Sequence, residues 1–428
     1  MTKTLIIHTE TKQNPRNLPA SYGRTVQSKL EEAEGLAHAI SLDICKSEIV
    51  NINKIAPSTH IGKGKVEEYA SYVKAESIDL VIINTDISPI QQRNLETALN
   101  CKVIDRTALI LEIFGERAQT KEGSLQVELA SLEYQKSRLV RSWTHLERQR
   151  GGGGFLGGPG ETQIESDRRA INTRINNIKG HLKKVVKTRD LHRKSRKKVP
   201  YPIVALVGYT NAGKSTLFNY ITKSDVFAQD ALFATLDPTM RLIELPSKDK
   251  IIMSDTVGFI SELPTQLVAA FRATLEEVIE ADIILHVRDI SHQDTESQKQ
   301  DVIDIVTSLG VEEKIMKSAI EVLNKIDLLD DEYRQNLIDK SSNKLEIACI
   351  SAVSGQGVED LLESIAKMVT AEHLTKEVVL DIKDGQILAW IYKNSEVISR
   401  HDDEYSIKLS IKISAKDFGR LNKMMQKD

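Results

Sequence analysis

The period of the apolar positions changes three times along the chain. Over 1–115, short apolar runs alternate with helical patterns. Leu80-Val81-Ile82-Ile83-Asn84 reads as a buried strand, Pro89–Asn100 as a helix and Lys102-Val103-Ile104-Asp105 as the next strand. Strands alternating with helices predict a small parallel sheet. Over 116–198 the period becomes that of long paired helices. Leu125, Leu129, Leu132, Leu139, Trp143 and Leu146 follow a heptad broken once by Lys136. Ile164, Ile171, Ile175, Ile178, Leu182 and Val185 follow a second, broken at Arg168 and Arg189. Two such seams predict helices that cover each other. Pro200 and Pro202 end this region, because proline stops the helix before it. Buried strands and helices alternate again over 199–371, starting with Ile203-Val204-Ala205-Leu206-Val207. After Glu372 the chain turns to short apolar runs, read as strands at Val378–Ile382, Gln386–Tyr392 and Ser406–Ser414. The expected divisions are therefore 1–115, 116–198, 199–371 and 372–428.

Between the two heptad stretches lies Gly151-Gly152-Gly153-Gly154-Phe155-Leu156-Gly157-Gly158-Pro159-Gly160, seven glycines in ten residues. No helix survives that density, so the expectation is an antiparallel hairpin with a glycine tip. Thr162 or Glu161, with Glu165 following, has the form of a capping box for the second helix.

Composition adds little except in one place. The chain has 428 residues, 28% of them charged and 5% aromatic, which excludes fibrous and wholly disordered classes. No apolar run reaches the ~18 residues of a membrane helix, and the first residues are too short an apolar stretch for a secretory signal. Cys45, Cys101 and Cys349 lie far apart, which fits a reducing cytoplasmic setting. The formal net charge is −3, yet 168–198 holds 13 Lys and Arg against one acid, Asp190. That run ends in Arg193-Lys194-Ser195-Arg196-Lys197-Lys198, and its density points to a polyanion such as nucleic acid.

The chemistry is carried by four motifs in order. Gly208-Tyr209-Thr210-Asn211-Ala212-Gly213-Lys214-Ser215 matches the complete phosphate-loop pattern, between an expected strand and an expected helix at Thr216–Thr222. Its glycines let backbone N–H groups converge on phosphate oxygens, Lys214 reaches the β- and γ-phosphates, and the Ser215 hydroxyl binds Mg²⁺. Asp255-Thr256-Val257-Gly258 closes the strand Ile251–Ser254; the acid supports the metal shell and the Gly258 N–H senses the γ-phosphate. Asn324-Lys325-Ile326-Asp327 closes Ile320–Leu323, and a carboxylate at Asp327 accepts two N–H groups that guanine offers and adenine does not. Ser351-Ala352, with Val353, follows Ala348–Ile350 and presents a backbone N–H to guanine O6. The order and strand-end placement select GTP as substrate. The loop His60-Ile61-Gly62-Lys63-Gly64-Lys65 opens another helix and offers a weaker anion site.

These residues resemble the translation-factor class of GTPases. Leu232-Phe233-Ala234-Thr235-Leu236-Asp237-Pro238-Thr239, with Asp255-Thr256-Val257-Gly258-Phe259, looks like the Obg–HflX superfamily, and the tip running into Glu161-Thr162-Gln163 looks like the HflX family. The resemblance covers nearly the whole chain. It implies an α/β fold: a P-loop GTPase domain with a parallel sheet and flanking helices, preceded by a small α/β domain and a helical hairpin and followed by a small α+β module. It implies that 233–237 meet the nucleotide and that Thr235 closes on Mg²⁺ and the γ-phosphate. Lys214, Thr235 and Gly258 are then the catalytic set, with Ser215 and Thr235 on the metal. It further implies a monomer that binds the large ribosomal subunit through the 151–160 tip and the 168–198 helix and dissociates stalled or idle ribosomes. One position departs from the general GTPase scheme. Phe259 stands where many GTPases carry a water-orienting Gln, so hydrolysis is expected to be slow until a partner completes the site. Arg241, Arg272 and Arg288 are the arginines that could serve from within the domain. A GTP switch that engages a non-ribosomal protein or RNA complex through the hairpin, and an RNA-remodelling ATPase using the Gly62–Lys65 loop, remain as alternatives.

Overall fold

The computed structural model describes residues 2–11, 24–149, 159–196, 201–223, 232–233, 239–261, 277–308, 318–341, 344–371, 373–381, 383–403 and 405–425. The first sheet consists of β1 (Lys3–Thr11), β2 (Asp43–Ile52), β3 (Leu80–Ile83) and β4 (Lys102–Asp105), all parallel in the order β2-β1-β3-β4. Helices α1 (Val26–Ala39) and α4 (Arg106–Arg117) cover one face, and α2 (Lys63–Glu76) and α3 (Pro89–Leu99) the other. β3 is buried at every residue, as its unbroken apolar run requires. Local chemistry sets the helix starts. Ser88 and Gln91 form a capping box around Pro89, and the Asp105 carboxylate accepts from the Ala108 N–H. The Gly62 loop opens α2, with no side-chain cap.

Helices α5 (Lys121–Gln149) and α6 (Pro159–Arg196) form the hairpin, tied by Arg174–Glu128 at 2.7 Å and Lys179–Glu133 at 2.9 Å. Ile175 and Ile178 of the second heptad are buried, but Leu125, Leu129 and Leu132 of the first are only half-buried. Among the described residues the buried apolar side chains of α5 are instead Val127 and Ala130, which join the core of the N-terminal sheet. A helix that serves two partners spreads its apolar residues over two faces, and the heptad captured one of them. Tyr134 Oη donates to Asp105, and Arg138 pairs with the same carboxylate, so α5 is anchored to the C-terminal end of β4. α6 begins at Pro159, upstream of the expected cap at Thr162. Proline at a first helical position loses no hydrogen bond. Residues 151–158 and 197–198 lie outside the described residues.

The second sheet has six strands: β5 (Ile203–Gly208), β6 (Thr239–Glu244), β7 (Lys250–Asp255), β8 (Ile283–Asp289), β9 (Ala319–Asn324) and β10 (Ile347–Cys349). Their order is β10-β9-β8-β5-β7-β6, and all pairs are parallel except β6 with β7. Described helices on it are α7 (Lys214–Thr222), α8 (Thr295–Ser308), α9 (Asp331–Ser341) and α10 (Val358–Ala371). One apolar core runs between the two sheets: Leu36, Ile110 and Phe114 belong to the same cluster as Ala205, Val207, Phe233, Phe259 and Ile284.

The C-terminal module is an antiparallel sheet, β11 (His373–Asp381), β12 (Glu396–Asp402) and β13 (Ser406–Ser414), in the order β11-β13-β12. Gln386–Tyr392, expected as a strand, lies instead in helix α11 (Gly385–Asn394). Ile387 and Ile391 are its buried positions, one helical turn apart. A short apolar run does not distinguish the two states, and here the β12 strand, missed in its polar sequence, takes the edge. Helix α12 (Ala415–Met425) closes the module. Among the described residues no helix is long and apolar enough to cross a membrane.

Candidate functional site

The phosphate loop leaves β5 and enters α7, and two of its glycines are fixed by what they touch. A Cβ on Gly208 would lie 2.2 Å from the Val287 carbonyl oxygen. Gly213, at φ +91, would place one 2.2 Å from Asn324 Nδ2. That close approach lets Asn324 Nδ2 donate to the Ala212 carbonyl at 2.8 Å. Its Oδ1 accepts the Ala352 N–H at 2.9 Å. Asn324 thus joins the phosphate loop, its own strand end and the 351–353 loop. Lys325, at φ +67, turns back to pair with Asp289 at 2.6 Å. Asp327 follows in a short 3₁₀ turn and is exposed, as is Val353, while Ile326, Ser351 and Ala352 are buried.

Lys214 is buried, and its ammonium donates to the carbonyls of Gly208 at 3.1 Å and Tyr209 at 2.8 Å. Burial pulls its pKa down to about 8, with the Asp255 carboxylate opposing the shift. Ser215 Oγ donates to Asp255 Oδ2 at 2.7 Å, and Thr256 Oγ1 donates to the Leu206 carbonyl at 2.5 Å. Gly258 lies against the loop: an added Cβ would sit 2.8 Å from Thr210 Cγ2 and 3.0 Å from Lys214 Nζ. Phe259 is bonded to the loop on both sides of its peptide. Its N–H donates to the Gly208 carbonyl at 3.1 Å, and its carbonyl accepts the Thr210 N–H at 2.7 Å. The ring is buried with Val257. The Asn211 residue sits at φ +59 at the exposed bend of the loop.

Ser215 Oγ and the Asp255 carboxylate form a direct pair of hard oxygen donors at the start of α7. That donor chemistry suits Mg²⁺, which prefers oxygen ligands and keeps several waters. Thr235, with Ala234, Leu236 and Asp237, lies outside the described residues.

Two of the expected nucleotide contacts aim their side chains elsewhere. The Phe233 ring, on a residue at φ +58, packs edge-on to Phe114 with centroids 4.7 Å apart. The Tyr209 hydroxyl reaches Arg24 and Glu32 of the N-terminal region. Of the three arginines considered, Arg288 is buried and paired with Glu296 and Glu321. Arg241 is exposed and donates to the Met240 carbonyl, and Arg272 is outside the described residues. Nothing in the sequence pattern marks Arg24, Glu32, Arg106 and Ser261. They form a polar cluster between the two sheets in which Arg106 is buried and the other three are half-buried, and no spacing links positions so far apart in the chain.

Comparison with known proteins adds four family-model matches in register. They are a GTP-binding GTPase N-terminal region at 27–115, a GTP-binding GTPase middle region at 117–196, a 50S ribosome-binding GTPase at 203–325 and an HflX C-terminal domain at 336–427. The chain is 46% identical over 402 residues to GTPase HflX of Magnetococcus marinus, covering 94% of this chain and 92% of that one. It is 40% identical over 395 residues to GTPase HflX of Escherichia coli K12, covering 92% of each. A solved structure of SsGBP in complex with GDP matches with a TM-score of 0.50 at 24% identity, over 87% of this chain and 99% of that one, which speaks for the fold.

Proposed function

This chain belongs to the HflX family of GTPases, and from that premise we propose that it binds the large ribosomal subunit and couples its GTP cycle to dissociating stalled or idle ribosomes in the cytoplasm. It is a GTP hydrolase, converting GTP and water to GDP and phosphate. The observation that carries the ribosomal reading is α6. Its 38 residues span about 57 Å at ~1.5 Å per residue, and Lys183, Lys184 and Lys187 lie exposed on it. A basic rod of that length attached to a GTPase fits a large, phosphate-rich partner.

In this reading the backbone N–H groups of 211–215 cradle the phosphates, and Lys214 turns from its own loop carbonyls to the β- and γ-phosphates. Asp327, on the exposed rim, receives the guanine N1–H and N2–H, while Asn324 keeps the base loops and the phosphate loop in one frame. Gly258 offers its N–H to the γ-phosphate. Ser215 and Thr235 would hold Mg²⁺ with Asp255 behind them, and the bound ion supplies positive charge to the phosphate oxygens. Phe259 has no polar group with which to orient water, so a group from the ribosome completes the site. The glycine tip with Phe155 and Leu156 makes the far contact on ribosomal RNA.

The test is sedimentation of purified ribosomes with the protein and a non-hydrolysable GTP analogue. The protein should travel with large subunits, 70S-type particles should separate, and large subunits should raise GTP turnover. Protein that stays at the top of the gradient, with turnover unaffected by subunits, would favour a non-ribosomal partner for the hairpin.

A further inference from the structure

Folding leaves the Thr210 hydroxyl without a partner. Thr210 is the third residue of the phosphate loop and is 6% exposed. Its N–H donates to the Phe259 carbonyl at 2.7 Å. Its Oγ1 is buried and has no hydrogen-bond partner among the described residues. Buried hydroxyls nearly always find one, because a hydroxyl that does not has lost its water and gained nothing in return. Valine would fill the same space without that loss.

The side chain borders the space where a phosphoryl group is expected. Thr210 Cγ2 and Cα lie 2.8 and 2.9 Å from the point that a Cβ on Gly258 would occupy, and Lys214 Nζ lies 3.0 Å from the same point. The Thr210 side chain, the Lys214 ammonium and the Gly258 backbone therefore bound one small space. The methyl group faces Gly258 in the nucleotide-free state. The hydroxyl is carried on the same Cβ, so one step of χ1 between staggered positions brings it round to that space. The neighbouring carbonyls of Gly208 and Tyr209 are acceptors, already bonded to Lys214, and cannot serve a phosphate oxygen. A hydroxyl can, because it donates.

We propose that Thr210 is the residue by which the site tells GTP from GDP: its Oγ1 donates a hydrogen bond to an oxygen of the γ-phosphate, beside Lys214 and the Gly258 N–H. This rests on the γ-phosphate lying between Lys214 and Gly258. GDP brings no oxygen to that place. The state of the hydroxyl before binding is what makes the contact selective. A donor in water gives up a bond to water for each bond to phosphate, and the exchange is nearly even. The Thr210 hydroxyl has already lost its water on folding, so a bond to a charged oxygen is gained with no such exchange. Stability forgone in the empty and GDP-bound protein thus returns as preference for GTP. Orienting the attacking water remains with the group that completes the site at Phe259.

The test uses the full chain without ribosomes and compares the Kd of GDP with that of a non-hydrolysable GTP analogue. Thr210→Val deletes the hydroxyl and keeps the shape, and Thr210→Ser keeps the hydroxyl. One hydrogen bond to a charged group is at stake, so Thr210→Val should weaken the analogue about tenfold and change GDP less than about twofold, with the ratio restored in Thr210→Ser. Melting supplies a readout that a structural role would move the other way. Without nucleotide, Thr210→Val should melt at or above the temperature of the parent, because it removes an unpaired buried hydroxyl, and the rise on adding analogue should shrink while the rise on adding GDP persists. Equal losses for both nucleotides, an unchanged ratio, a Thr210→Ser protein as weak as Thr210→Val, or a lower melting temperature of empty Thr210→Val would overturn the proposal. Gly258→Ala separates it from the placement beneath it, since the added methyl enters the same space. If that variant weakens the analogue selectively and Thr210→Val does not, the Thr210 contact alone is wrong; if it treats both nucleotides alike, the γ-phosphate lies elsewhere and the reading of the site falls with it.

Discussion

A buried lysine that lacks phosphate neighbours should give up its proton early, and Lys214 provides a measurable case. Its pKa in the nucleotide-free protein is about 8, because burial disfavours the ammonium more than Asp255 favours it. Bound phosphates restore the charged form, so the pKa rises on binding and nucleotide binding takes up a proton. At pH 8 about half of the free protein is unprotonated there, so uptake should be about 0.5 proton per nucleotide. Between pH 8 and 9 the fraction of competent ammonium falls from about a half to about a tenth, so the Kd for GDP should weaken about fivefold, about 1 kcal/mol. The assay is titration calorimetry at pH 8 in two buffers of different ionisation enthalpy, where the difference in apparent heat gives the proton count. Lys214→Arg keeps a charge throughout and should flatten the pH slope. Identical heats in both buffers, or a flat Kd from pH 8 to 9, would refute the reasoning. The same depression has a sign for stability. The unfolded chain holds the proton to about pH 10.5 by its ordinary value, so the apo protein should gain stability as pH rises from about 8 toward 10.5.

Asp327→Asn should shift preference from guanine toward xanthine nucleotides, which offer an oxygen where guanine has its amino group; unchanged competition between GTP and XTP would contradict the assigned role. Phe114→Ala removes the ring that meets Phe233 in the shared core and should cost about 3–5 kcal/mol, read as a lower urea midpoint. Reversing Lys183, Lys184 and Lys187 to Glu should flatten the salt dependence of ribosome binding, since fewer counterions would be released; a slope that survives makes this face a solvated surface. Deleting 152–158 should leave GDP binding intact and abolish subunit separation in the gradient assay.

The motifs of the proposed nucleotide site were legible because their chemistry is local. Each motif is a few contiguous residues at the end of an apolar run, and the strands at Ile203–Gly208, Lys250–Asp255 and Ala319–Asn324 lie where those runs stand. The family resemblance rested on equally contiguous segments. What stayed hidden is non-local or double-sided. Glu32 meets Ser261 across 229 positions and Arg24 meets Asp301 across 277, and a charged residue in a helix reads as solvated until its partners are known. Tyr209 was read only as a member of the phosphate loop, although its hydroxyl points into the neighbouring domain. Val127 and Ala130 were missed because α5 has two apolar faces and the heptad describes one. The run at Gln386–Tyr392 was misread because Ile387 and Ile391 are the same residues in either period until a sheet edge is assigned.

The core shared by the two sheets also has a consequence for how the chain is made. Phe114, Ile110 and Leu36 are synthesised early, while Ala205, Phe259 and Ile284, which cover them, come later. At ~5–20 residues per second, the interval between Phe114 and Ile284 leaving the ribosome lasts on the order of ten to thirty seconds. For that time the outer side of α1 and α4, where Glu32 and Arg106 still lack Tyr209 and Ser261, stands in water while the other face of the sheet, around Tyr69 and Leu95, is already closed. A nascent chain arrested within that window should expose an apolar surface to holding chaperones, and the same surface should vanish once β8 emerges.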